Sequence, residues 1–112
     1  MERESERRAE EVWLREAVRR LREALDLERV ILFGSMARGT QTRTSDIDLL
    51  VVARTEDPPL ERIGRVLRLL ADAPRPVEVL VLTPEELQRR RDQPLLRTAL
   101  REGRSLYERR AA

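Results

Sequence analysis

A small mixed β-sheet backed by helices, of the α/β or α+β class, is the architecture this sequence predicts, and three observations predict it. Short apolar runs rich in valine, isoleucine and leucine fall at residues 30–33, 49–52 and 77–82. Around them, apolar residues recur three and four apart, the period of an amphipathic helix. Proline and glycine stand where one period gives way to the next. A chain of 112 residues has room for one such core, so residues 1–112 read as a single minimal domain.

Residues 1–10 are nearly all charged and are expected to fray from, or extend, the first helix. From Val12 onward, Leu14, Ala17, Val18, Leu21, Ala24 and Leu25 form a helical stripe, with arginine and glutamate on the solvated face. Arg29–Phe33 reads as a buried strand ending at Gly34-Ser35, and Met36–Gly39 as one turn of helix closed by Gly39. Thr40–Ser45 is a polar connection, followed by a second strand over Asp46–Val52. Asp57-Pro58-Pro59 opens a helix whose apolar stripe is Leu60, Ile63, Leu67 and Leu70, and Ala73-Pro74-Arg75-Pro76 closes it. Val77–Leu82 is the third strand. Thr83-Pro84-Glu85-Glu86 is a capping box that starts a helix running to about Asp92. Leu95–Glu102 is a last helix, with Gly103 expected as its left-handed terminator. Ser105–Tyr107 is an edge strand or part of the tail that ends at 108–112.

Composition narrows the chemistry. All 23 basic residues are arginine, and histidine and cysteine are absent. Histidine bases, histidine metal sites, disulfides, thiol nucleophiles and thiolate zinc sites are therefore excluded. A metal would need oxygen ligands, which suits Mg²⁺ or Mn²⁺. Without lysine a P-loop is impossible, and the dinucleotide-binding glycine spacing is missing. Aromatic residues are 3% of the chain, too few for a base-stacking platform, and the net charge of +2 does not mark a nucleic-acid binder. No apolar run is long enough to span a bilayer, so the cytoplasm is the expected location.

The informative stretch is Gly34 to Val51. Asp46 and Asp48 stand two apart at the start of a strand and share a face, while Ile47, Leu49 and Val51 take the other. Side-by-side carboxylates repel, and a divalent cation relieves the repulsion; the alternative is that they cap a turn through Ser45-Asp46. Glu78 interrupts an apolar strand and reads either as a third metal-ligating carboxylate or as one solvated position on an edge strand. Gly34 permits a sharp turn with backbone close to phosphate, where Ser35 and the following amides can donate. Arg38 can reach a phosphate or an acidic side chain, and Arg43 can lean over a bound nucleotide; a plain surface role is open for each. Trp13 reads as packing, Tyr107 as peripheral, and Arg89-Arg90-Arg91 as a solvated helix face, with a patch for RNA or a partner as the alternative.

These residues resemble the signature of the minimal nucleotidyltransferases of the Pol β superfamily: glycine-serine, ten residues, then two aspartates one residue apart. Gly34 and Ser35 match the pair, Asp46 and Asp48 the aspartates, and Arg38-Gly39 the common continuation. Glu78 stands where the family usually has a third aspartate, and Met36 where it often has arginine or another polar residue. The resemblance implies a Pol β-like fold and catalytic, metal-ligating roles for Asp46, Asp48 and Glu78. It implies two Mg²⁺ ions, or Mn²⁺ in their place, and a triphosphate held by Gly34, Ser35 and Arg38. It further implies ATP as substrate and transfer of AMP to a tyrosine of a cognate HEPN-domain toxin, the chain being its type VII-like antitoxin. Nucleotidyl transfer to RNA or a small molecule, and a non-catalytic antitoxin that occludes its toxin, are the competing readings. A homo-oligomer is open; a membrane role and direct nucleic-acid binding are not expected.

Overall fold

A computed structural model describes residues 2–42 and 44–110. In chain order the elements are α1 (Glu2–Ala24), β1 (Asp26–Phe33), α2 (Ser35–Arg38), β2 (Ile47–Arg54), α3 (Pro59–Leu69), β3 (Val77–Leu82), α4 (Pro84–Arg90), α5 (Pro94–Glu102) and β4 (Arg104–Glu108). The strands form a four-stranded sheet in the order β3-β2-β1-β4. β1 runs antiparallel to both β2 and β4, whereas β3 lies parallel to β2. A parallel neighbour needs a crossover, and α3 supplies it. The mixed α/β architecture is thus the one the sequence predicts.

β2 is central, and its apolar run is buried on both faces as a two-sided strand requires. Its alternation divides the core. Ile47, Leu49 and Val51 pack with Val30 and Leu32 of β1 beneath Trp13, Leu14, Ala17 and Leu21 of α1 and Val66 of α3. Leu50 and Val52 face the other way, with Ile31, Leu82 and Leu96 of α5. Trp13 is buried at the α1–α3 contact, where its indole N–H donates to Asp72 at 3.2 Å. Arg89, Arg90 and Arg91 are exposed, and Tyr107 lies on edge strand β4 beneath the Arg22 guanidinium.

Several boundaries and roles differ from the sequence reading. α1 extends through the charged segment to Glu2, one of the two outcomes expected for it, whereas β1 begins at Asp26 rather than Arg29, because pairing with Arg54 and Ala53 of β2 draws Asp26 and Leu27 into the ladder. In α3 the buried residue is Val66, while Leu60 and Leu67 are 83% and 39% exposed; the helix is rotated so that Ile63, Val66 and Leu70 meet the core. The capping box of α4 is present, with Thr83 Oγ1 accepting from the Glu86 N–H at 3.2 Å and Glu86 Oε1 accepting from the Thr83 N–H at 2.8 Å. That backbone bond, with Arg62 beside it, holds the Glu86 carboxyl below its ordinary range.

Gly103 is not a left-handed terminator. Its φ of −71° and ψ of 158° are open to any residue, and it is glycine for another reason. A Cβ there would lie 2.2 Å from the Ala99 carbonyl oxygen and 2.4 Å from Ile31 Cγ2. The close approach of the chain leaving α5 to β1 requires a residue without a side chain. Gly103→Ala is expected to destabilise the fold by about 1–3 kcal/mol through overpacking, since a backbone oxygen cannot swing aside. Chemical denaturation would check this, and an unchanged midpoint would contradict it.

Candidate active site

The site is built on one row of residues across the sheet. Phe33 of β1 pairs with Asp48 of β2, and Asp48 pairs with Glu78 of β3. Residues in register across neighbouring strands share a face, so the two carboxylates are neighbours and Phe33 flanks Asp48 on its other side. Asp46 lies just outside β2, which begins at Ile47 rather than at Asp46. The strand starts late because the first ladder bond on that side is from the Ile47 N–H to the Pro76 carbonyl, at 2.8 Å.

Gly34 ends β1 and turns the chain into α2, with φ 74° and ψ −155°. That combination is essentially confined to glycine. The turn lays the Gly34 backbone against Asp48, so close that a Cβ would be 2.3 Å from Asp48 Oδ2. Ser35 begins α2 and its carbonyl accepts from the Gly39 and Thr40 N–H groups; Gly39 closes the turn in the left-handed conformation, φ 72°. Met36, the departure from the family pattern, is buried in the core beside α1 and β1. Arg43 lies outside the described residues, as do residue 1 and residues 111–112.

Gly34, Arg38, Asp48 and Glu78 line one open cavity of about 640 Å³. Its apolar wall comprises Phe33, Leu80 and Leu95, with Thr98 of α5 beside them, and Ile63, Leu67, Val77 and Val79 continue it around the edge strand. Sequence reasoning did not pick out Thr98 or Leu95. Leu95 is 54% exposed, and nothing in the local pattern of α5 marks it or Thr98 as facing a site on the sheet. Leu80 was legible in principle, since it shares the face of Glu78 two residues on.

The electrostatics single out Asp48. Burial raises its pKa most, the charges of Glu78 and Asp46 raise it further, and Arg38 opposes them. The structure thus brings Asp48, Glu78 and Asp46 within electrostatic reach of one another, with Arg38 facing them. It does not close them into a finished ligand set: among the described residues no three acidic side chains converge at metal-ligand spacing. Glu78 is exposed on an edge strand, so the solvated-position alternative describes its surroundings, although its partner in the row is Asp48. A set of carboxylate oxygens that crowd one another's charge fits a hard divalent cation.

Comparison with known proteins identifies the family of the chain. Residues 13–106 match the family model described as "Nucleotidyltransferase domain". Two curated proteins of Methanocaldococcus jannaschii named "Putative protein adenylyltransferase", MJ1305 and MJ0604, are 34% and 33% identical to the chain. The alignments cover 75% and 72% of this chain, but the chain spans only 60% of the length of MJ1305, against 79% of MJ0604. A crystal structure of a toxin–antitoxin with AMP-PNP superposes with a TM-score of 0.60 at 26% identity, covering 86% of this chain and 74% of that one. No helix among the described residues is long and apolar enough to cross a membrane. With the match running from Trp13 to Leu106 and enclosing Gly34, Asp46, Asp48 and Glu78, the chain belongs to the nucleotidyltransferase domain family.

Proposed function

We propose that this nucleotidyltransferase is an antitoxin that transfers AMP from ATP to a tyrosine hydroxyl of a cognate HEPN-domain toxin. The observation that carries the reading is that Asp48, paired with Glu78 across the sheet and touched by the Gly34 turn, lines one cavity with both of them and with Arg38. Asp46, Asp48 and Glu78 would hold Mg²⁺, which when bound neutralises phosphate charge and orients the triphosphate. Gly34 and Ser35 hold the triphosphate at the turn, and Arg38 balances its charge. The acceptor oxygen forms a bond to the α-phosphorus, the α–β phosphoanhydride bond breaks, and pyrophosphate leaves. The acceptor's proton passes to a carboxylate, and Glu78, exposed and lining the cavity, takes that role.

The toxin as acceptor is supported by the likeness to the toxin–antitoxin bound to AMP-PNP, and protein adenylylation by the names of the two archaeal relatives. Incubation with α-³²P-ATP and Mg²⁺, with and without a candidate HEPN-domain protein, tests the reading. Label on that protein, lost in D46A/D48A, is the expected result. Tight binding without transfer to protein, RNA or small acceptors would overturn it and favour occlusion.

A further inference from the structure

Residues 75 and 76 hold both peptide groups that flank Asp46. On one side the Ser45 carbonyl accepts from Arg75 Nη1 at 3.2 Å. On the other the Ile47 N–H donates to the Pro76 carbonyl at 2.8 Å. The same Nη1 also donates to the Thr42 carbonyl, so one guanidinium grips the loop ahead of Asp46 at two points. Within that loop the Ser45 hydroxyl accepts from the Thr42 N–H at 2.8 Å, which closes it on itself.

Arg75 is itself held from behind. Its Nε donates to Glu10 Oε1 of α1 at 2.6 Å, across 65 residues of sequence. Glu10 is 7% exposed, and the Arg75 side chain is 12% exposed. Pro74 and Pro76 bracket Arg75 and restrict its backbone, since a residue before proline is confined to extended conformations. Glu10 also falls in helical phase with Leu14, Ala17 and Leu21, where an apolar residue would be expected.

A buried ion pair is weak evidence for stability, because desolvation offsets its attraction and an apolar pair often serves the fold as well. An apolar pair could not bind two loop carbonyls. We propose that Glu10 and Arg75 are positioning residues for Asp46, fixing the backbone on either side of it so that its carboxylate is presented beside Asp48 for a divalent cation. The inference rests on the proposed function of the site, and it concerns residues that touch neither nucleotide nor acceptor. Supporting groups of this kind commonly change metal affinity 10–100-fold.

The test is the double variant E10M/R75M, which removes the grip on the loop while leaving an apolar pair to fill the space. Mn²⁺ binding is titrated in the presence of a non-hydrolysable ATP analogue, alongside thermal melting and the Mg²⁺ dependence of transfer. Expected are a melting temperature at or above wild type, Mn²⁺ affinity weakened about tenfold or more, and a matching rise in the Mg²⁺ needed for half-maximal transfer. R75K, which keeps a charge for Glu10 but loses the guanidinium fork, should fold and show a smaller shift in the same direction. A folded E10M/R75M with wild-type Mn²⁺ affinity would overturn the proposal; should that variant not fold, R75K with wild-type affinity would do so. Wild-type protein that binds Mn²⁺ yet transfers nothing would instead overturn the proposed function and leave the positioning of Asp46 standing.

Discussion

Replacing Asp48 with asparagine is expected to lower nucleotide transfer on the order of 10³-fold while making the metal-free protein more stable. Asp48 lies at the centre of the row, half-buried beside Phe33 and crowded by Glu78 and Asp46, and its partial desolvation with those charges raises its pKa. A raised carboxyl pKa means that the folded state holds the proton more tightly than the unfolded one. Its stabilising contribution is therefore complete below the ordinary value of 3.8 and is lost as pH rises through the higher folded value. At neutral pH wild-type Asp48 is a liability that asparagine removes. Thermal melting without divalent ions should show D48N higher than wild type at pH 7, with the difference shrinking toward pH 3. Mg²⁺ with nucleotide should raise the wild-type melting temperature by mass action and leave D48N unmoved. A D48N protein that melts below wild type at pH 7 would remove the electrostatic account, and one that still transfers nucleotide would remove Asp48 from the chemistry.

Gly34→Ala is expected to damage both fold and activity, for two separable reasons. The backbone at φ 74° and ψ −155° is costly for any side chain, about 1–3 kcal/mol for a non-glycine residue. The added Cβ would also sit 2.3 Å from Asp48 Oδ2, so the carboxylate must move away from the position that faces Glu78. A loss of roughly 10²-fold in transfer should accompany the lower stability, as expected when a reacting group is displaced by about an ångström. The two reasons are told apart by a double-mutant cycle. Removing the carboxylate in G34A/D48A should relieve the collision but not the strain, so the stability losses should fail to add. Strict additivity by denaturant unfolding would show that only the backbone strain matters.

Part of this was legible because the signals were local. The Thr83–Glu86 capping box, the left-handed Gly39 and the proline entry to α3 depend on a few consecutive residues, and each appears where its chemistry demands. The strand runs were readable from their apolar, branched residues, and the two-residue spacing of Asp46 and Asp48 follows from the period of a strand. What was misread depended on neighbours far along the chain. The apolar pattern of α3 fits a stripe through Leu60 and Leu67 as well as one through Val66, because one short helix admits two phases, and only packing against α1 and the sheet chooses between them. Gly103 looked like a terminator because glycine after a helix usually is one; its true reason is a β1 side chain and a turn of α5 that no local pattern contains. Glu10 carries a local signal, a charge in the apolar phase of α1, but its partner Arg75 lies 65 positions away.

By itself, the sequence determined the kinds of element, their order and the oxygen-only donor set, since backbone preferences, side-chain periods and the lack of histidine and cysteine are properties of residues and their near neighbours. The tertiary structure alone decided that β3 pairs in parallel beside β2, which sets Glu78 against Asp48, and that Arg75 reaches around to hold the loop before Asp46. Register and burial arise from contacts across the whole chain, where one residue of slip would turn Glu78 to the opposite face of the sheet.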